Sequence, residues 1–208
     1  MTHDMKRRSF IELTTAGSAV FLGASSLLAN QAQAKPPVLI SPGCRTSKVK
    51  IAKVYLGKPK AHWPSPTVDI DKEMQKYESE FARIKEEFAD VDFTVNVLAS
   101  SIEPIEQAAA QIAEADGLLI VHLTIGVGNE LNALLKMGKP TVLFAAPYSG
   151  HEWAHFGQLL QQPEGALLEC LLTSDINQLA VGIRPFRAIH HLHETKILNI
   201  TARDFEDG

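Results

Sequence analysis

Cysteine is scarce: the 208 residues contain two, Cys44 and Cys170, too few for a four-cysteine zinc module or a dense disulfide framework. Basic charge is in deficit as well. Lys and Arg number 20 against 24 Asp and Glu, and a net charge of -4 supplies no general attraction to phosphate, so nucleic acid is not an expected partner. No uninterrupted apolar run is long enough for a permanent membrane span, because the longest candidate, residues 16–29, is diluted by Gly17, Ser18, Gly23, Ser25 and Ser26. A nucleophile elbow is missing too: Tyr148-Ser149-Gly150 lacks the Gly-x-Ser-x-Gly frame. What is present is a globular balance, 45% hydrophobic and 21% charged, sufficient to bury one sizeable core.

Lys6-Arg7-Arg8, the apolar stretch 16–29 and Ala32-Gln33-Ala34 follow one another in the order of an export signal over residues 1–34. The paired arginines, followed by Ser9, Phe10 and Ile11, resemble the twin-arginine signal, which implies export of a folded product to the periplasm or beyond. Two positions depart from that pattern: Lys6 replaces the usual hydroxyl residue, and Glu12 stands where lysine is common. Residues 35–49, opening with Lys35-Pro36-Pro37, read as a spacer, and residues 50–208 as one domain. Setting aside Lys6, Arg7, Arg8, Asp4 and Glu12 with the signal leaves 17 basic and 22 acidic side chains, so the mature domain is acidic.

Strand-like and helix-like patterns alternate along that domain. Residues 50–56 form a strand pattern, followed by a Pro- and Gly-marked loop, 57–66, that contains His62 and Trp63. Asp69 or Asp71 is placed to cap a helix whose Met74, Tyr77, Phe81, Ile84 and Phe88 recur at steps of three and four. Residues 92–98 read as a strand with Phe93, Val95 and Val97 alternating onto one face, and 103–114 as an Ala-rich helix begun near Pro104. The nearly unbroken apolar runs 117–123 and 140–146 predict central parallel strands covered on both faces. A helix over 130–137, closed by Gly138, separates them. Further strands are expected at 166–172 and 196–200, with a helix between them capped by Asp175 and interrupted by Pro185. This alternation predicts an α/β fold, a Rossmann-like (flavodoxin-like) three-layer sandwich with a mostly parallel sheet.

Ligands of such sheets bind at the carboxyl ends of the strands, which directs attention to two loops. Gly126-Val127-Gly128 lacks both the third glycine of a dinucleotide site and the lysine of a P-loop, so its glycines are read as serving the turn. In the second loop, His151-Glu152-Trp153-Ala154-His155 has the His-Glu-x-x-His spacing that sets two imidazoles one helical turn apart for zinc, with the glutamate as general base. Against that, Ser149-Gly150 immediately precedes the first histidine, and no third histidine follows until His190. Three readings stay open: a zinc site of an exported metallohydrolase, a polar substrate-facing loop, and a helix cap with surface histidines. The substrate-binding candidates are Trp63, Asn129, Ser149, His151, Glu152 and Trp153, with no catalytic residue and no metal ligand assigned among them.

Several other residues have plainer readings. His190-His191-x-His193-Glu194 offers an adventitious metal ligand set but reads as a solvated helix end. His122 is expected to be a buried, hydrogen-bonded imidazole, Arg184-Pro185-Phe186-Arg187 a surface kink or an anion site, and Cys170 a core thiol with the option of pairing to Cys44.

The runs Asp116-Gly-Leu-Leu-Ile-Val-His-Leu-Thr-Ile-Gly-Val-Gly and Gly138-Lys-Pro-Thr-Val-Leu-Phe-Ala-Ala-Pro-Tyr-Ser-Gly-His-Glu-Trp resemble the amino-terminal part of L-fucose/L-arabinose isomerase-like proteins, over roughly residues 50–200. The resemblance implies a Rossmann-like domain of a carbohydrate-metabolising isomerase that helps to enclose a sugar or polyol, often that of a neighbouring subunit. It also implies a divalent metal, usually manganese, held by Glu, Asp and His of later domains. Thr201-Ala202-Arg203-Asp204 resembles the start of such a further segment. The expectation is therefore a truncated, substrate-enclosing domain without a cofactor of its own and inactive alone, partnered by a downstream catalytic domain or by copies of itself.

Overall fold

The computed structural model describes residues 47–62, 64–146 and 153–195, the side chains of 153 and 154 excepted. The export signal, almost all of the spacer, Cys44 and the expected strand at 196–200 lie outside the described residues, as does any pairing of Cys44 with Cys170.

Five parallel strands, β1 (Val49–Leu56), β2 (Val91–Ala99), β3 (Gly117–His122), β4 (Thr141–Ala145) and β5 (Leu168–Leu171), form one sheet in the order β2-β1-β3-β4-β5. The helices are α1 (Ile70–Arg83), α2 (Glu103–Ala113), α3 (Gly128–Leu135), α4 (Trp153–Leu159), α5 (Gln178–Gly182) and α6 (Arg184–Glu194). Every residue of β3 and β4 is buried, as their unbroken apolar runs require of strands covered on both faces. On one face α1, α5 and α6 contribute Ile70, Tyr77, Phe81, Leu179 and Phe186. On the other, α2, α3 and α4 contribute Ile105, Ile112, Leu131, Leu134, Phe156 and Leu159. The result is the three-layer, doubly wound α/β arrangement that the alternation predicts.

Of the two possible caps for α1, the structure uses Asp69, whose side chain accepts a hydrogen bond from the Lys72 N–H at 3.0 Å. The α-helix stops at Arg83, but a 3-10 turn, Lys85–Phe88, carries the apolar face on so that Ile84 and Phe88 are still buried. Met74 is only partly buried.

The reading of β2 needs correction. Ile51 pairs with Phe93 and Ala52 with Val95, which leaves Thr94 as an extra residue in the edge strand. A bulge of this kind reverses the facing of every later side chain. Phe93 therefore packs with α1, while Val95 and Val97 join the opposite core.

Pro185 does divide the last helical segment, separating α5 from α6. The neighbouring Arg187 is neither a loose surface kink nor an anion site. Its guanidinium makes two hydrogen bonds of 2.8 Å to the Asp90 carboxylate and donates to the carbonyls of Ala180 and Glu87, which fastens α6 to the turn before β2. Phe186, beside it, lies flat on Gly117, where an added Cβ would meet the ring at 2.5 Å. Cys170 is a half-buried thiol packed against the α2–α4 face, pushed up to about 11 by burial and by the adjacent Glu169; such a thiol is unreactive.

Candidate functional site

In this strand order the connections leaving β1 and β3 pass to opposite faces, α1 on one side and α3 on the other, and the crevice between their carboxyl ends is the topological switch point. Close approach of the two loops is built in. Leu123 N–H donates to the Leu56 carbonyl at 2.7 Å, and Lys58 N–H to Thr124 Oγ1 at 2.7 Å. A Cβ on Gly57 would stand 3.0 Å from the Leu123 Cβ, so a larger residue at the β1 exit would have to push Leu123 aside. Gly126 turns the β3 exit at φ 82° with open space around its Cα.

Behind that turn α3 begins. Among the described residues no side chain caps its amino end, and the backbone N–H groups of a first helical turn are the donors that a ligand can use. Glu130 lies in the same turn and is 4% exposed. One carboxylate oxygen, Oε1, is 3.3 Å from the Lys58 ammonium; the other, Oε2, is buried with no hydrogen-bond partner among the described residues. An acceptor buried in this way costs stability unless something meets it. Lys58 reaches Glu130 from the β1 exit, and its backbone N–H is held by the Thr124 hydroxyl at the β3 exit, so a carboxylate and an ammonium meet at the crevice.

Of the six substrate-binding candidates read from the sequence, Asn129 is described in full: it is exposed, beside Glu130 in the first turn of α3. Trp63, Ser149, His151 and Glu152 lie outside the described residues; Trp153 opens α4, and its side chain is likewise outside them. The second histidine of the His-Glu-x-x-His run is described. His155 Nε2 comes 3.8 Å from the position a Cβ on Gly128 would take, which brings α4 against the glycine turn. Phe156 and Leu159 anchor that helix in the core, and the Phe156 ring meets buried His122 edge-on at 5.4 Å. The residues missed by sequence reasoning are Lys58, Thr124 and Glu130. A carboxylate in a first helical turn ordinarily reads as dipole compensation; the only signal was that Glu130 precedes Leu131 and Leu134 on a short apolar helix.

The same edge holds a cleft of about 340 Å³ between α1 and the loop after β5, lined by Lys76, Glu80, Arg83, Asp175 and Asn177 among others. Its charges are already engaged. Arg83 pairs with Glu80 at 2.9 Å, Lys76 with Glu73 at 3.5 Å, and Asp175 accepts hydrogen bonds from Asn177 and Gln178. The Asn177 N–H holds the Asp175 carboxyl below its ordinary value. The crevice at Glu130, with one acceptor unpaired among the described residues, is the stronger candidate. Among the described residues, the three metal-ligating side chains close enough to share an ion stand at the opposite, amino edge of the sheet, beside Asp116.

Fold and crevice together define an α/β domain with flavodoxin-like strand order and a polar switch-point site. Comparison with family models, with curated proteins and with solved structures finds no match to this chain.

Proposed function

We propose that this chain is an exported, sugar- or polyol-binding domain of the kind found at the amino terminus of L-fucose/L-arabinose isomerase-like proteins. The observation that carries the proposal is the Glu130 carboxylate, buried at the switch point with one oxygen on Lys58 and the other without a hydrogen-bond partner among the described residues. A pair of neighbouring hydroxyls offers two donors that suit such a carboxylate and lone pairs that suit Lys58 and the N–H groups of α3. The substrate class comes from the sequence resemblance; the hydroxyl-binding chemistry comes from the crevice. On this reading the domain encloses substrate, beside a catalytic domain or another copy of the chain.

Tryptophan fluorescence of the chain titrated with L-fucose or L-arabinose tests the binding. The expected result is a weak, saturable change that is reduced in Trp153→Phe and weakened about tenfold or more by Glu130→Gln, since a hydrogen bond to a charged group contributes about 1.5–3 kcal/mol. The absence of any saturable change with these sugars and with simple polyols would overturn it. If instead the binding site belonged to a hydrolase built on His151, Glu152 and His155, stoichiometric zinc would be lost in His155→Ala.

Export is the second part of this reading. With Arg7 and Arg8 both replaced by lysine, the expected outcome is a folded precursor retained in the cytoplasm, detected by fractionation and protease resistance. Unchanged export would remove the twin-arginine assignment. Among the described residues no helix is long and apolar enough to cross a membrane.

A further inference from the structure

We propose a divalent metal site of the zinc class at the amino edge of the sheet, formed by His190, His191 and Glu194 of α6 and separate from the sugar crevice. Ligand atoms of these three residues all lie within 4.8 Å of one another. Glu194 Oε2 is 3.6 Å from His190 Nε2 and 3.9 Å from His191 Nδ1. Bonds of about 2.0–2.1 Å in a tetrahedral site put ligand atoms roughly 3.3–3.4 Å apart, so both pairs to Glu194 already stand close to the spacing an ion needs.

Three features separate this cluster from the solvated helix end that its sequence suggests. First, the His190 side chain is 11% exposed, and Glu194 and His191 are 26% and 27% exposed, so the group is largely withdrawn from water. Second, His191 Nδ1 and Glu194 Oε2 are buried and have no hydrogen-bond partner among the described residues. With the His191 proton on Nε2, a lone pair and a carboxylate oxygen face each other there, the pairing that a cation satisfies. Third, the supporting shell is already built. Asp116, at the start of β3, stands with Oδ2 2.9 Å from His190 Nδ1, and that same oxygen accepts the Lys50 N–H at 2.8 Å. A carboxylate on one ring nitrogen fixes the proton there and turns the lone pair of the other outward, the arrangement that orients histidine toward a metal.

Two imidazoles and one carboxylate suit zinc and its first-row neighbours better than calcium or magnesium, which prefer oxygen alone. Three protein ligands leave a fourth position for water. Ser47 reaches the same point, its hydroxyl 2.9 Å from His190 Nε2 and hydrogen-bonded to Glu194. Metal there would fasten the carboxyl end of α6 to the segment entering β1 and, through Asp116, to β3. Without metal, the competing account is a proton on His190 shared with Asp116 and Glu194.

The test is zinc binding to the full chain prepared without a histidine tag, by calorimetry with zinc chloride and by metal analysis after dialysis. One zinc per chain is expected, with a rise in Tm on addition. His190→Ala, His191→Ala and Glu194→Gln should each abolish stoichiometric binding. Asp116→Asn should weaken it about 10- to 100-fold, and His155→Ala should leave it unchanged. Circular dichroism of the variants without metal shows whether each retains its fold, and Glu194→Gln, the most conservative change, decides if an alanine variant unfolds. No stoichiometric zinc in the parent chain overturns the proposal. So does zinc that survives Glu194→Gln, or zinc that is lost only in His155→Ala, which would assign it to the other histidine motif. Sugar binding at Glu130 is measured separately and can fail or succeed independently.

Discussion

Phe81→Ala is expected to lower the stability of the domain by about 3–5 kcal/mol, whereas Glu80→Ala, one residue away, changes it by about 0.5 kcal/mol or less. Phe81 is 5% exposed and sits at the centre of an aromatic group, its ring 5.7 Å from that of Phe88 and 5.8 Å from that of Phe93. Its face also receives the Lys53 ammonium at 4.4 Å, so truncation opens a cavity and removes a cation–π partner together. Glu80 loses only a surface pair with Arg83, in which both side chains are about half exposed. Urea unfolding of the two variants separates the faces of α1. Equal shifts of the midpoint would contradict the packing of that helix on β1 and β2.

Glu78→Ala is expected to cost about 2–3 kcal/mol, somewhat below the 3–5 kcal/mol of a fully buried pair, because water reaches Glu78. The Lys53 side chain is 4% exposed and its ammonium is 2.6 Å from Glu78 Oε1. The same carboxylate oxygen accepts hydrogen bonds from the Tyr55 hydroxyl at 2.8 Å and Asn96 Nδ2 at 3.0 Å. Removing it strands a buried cation among the rings of Phe81, Phe93 and Tyr55. Replacing both partners, Lys53→Met with Glu78→Gln, should recover most of the loss. No recovery would contradict the stranded-cation account.

The pH dependence has a definite sign at each end. Burial raises the Glu78 carboxyl, but the hydrogen bonds from Lys53, Tyr55 and Asn96 outweigh it and hold the group below its ordinary value. Its contribution is therefore present above the unfolded carboxyl pKa of about 4.3 and lost as pH falls through the lower folded value. Burial lowers the Lys53 ammonium despite Glu78. In the window between that lowered value and about 10.4 the unfolded chain binds the extra proton, so this group adds stability as pH rises.

The central sheet was legible because β3 and β4 are unbroken apolar runs, and α1 because Met74, Tyr77 and Phe81 keep helical spacing behind an acidic cap, with Ile84 and Phe88 continuing the face into the 3-10 turn. The bulge at Thr94 was not, since no glycine or proline marks it and the register of an edge strand is set by its partner. The Arg187–Asp90 clamp joins residues 97 positions apart, a pairing that only the crossover connections create. The same reason hid the crevice. Gly126 and Asn129 could be picked out as a loop at a strand end, but the burial of Glu130 follows from β1 and β3 being neighbours, which brings Lys58 across to it. Likewise the His190 cluster reads as a polar helix end until Asp116, from a different strand, is placed against it.

The account rests most heavily on the Glu130 crevice as the ligand site, and amide chemical-shift mapping of the isotope-labelled chain during titration with L-fucose or L-arabinose examines it residue by residue. The account predicts saturable shifts centred on Lys58, Thr124, Gly126, Gly128 and Asn129 that are lost in Glu130→Gln while the rest of the spectrum is preserved. Shifts confined to the cleft at Lys76, Arg83 and Asn177, or an undiminished response in Glu130→Gln, would contradict it.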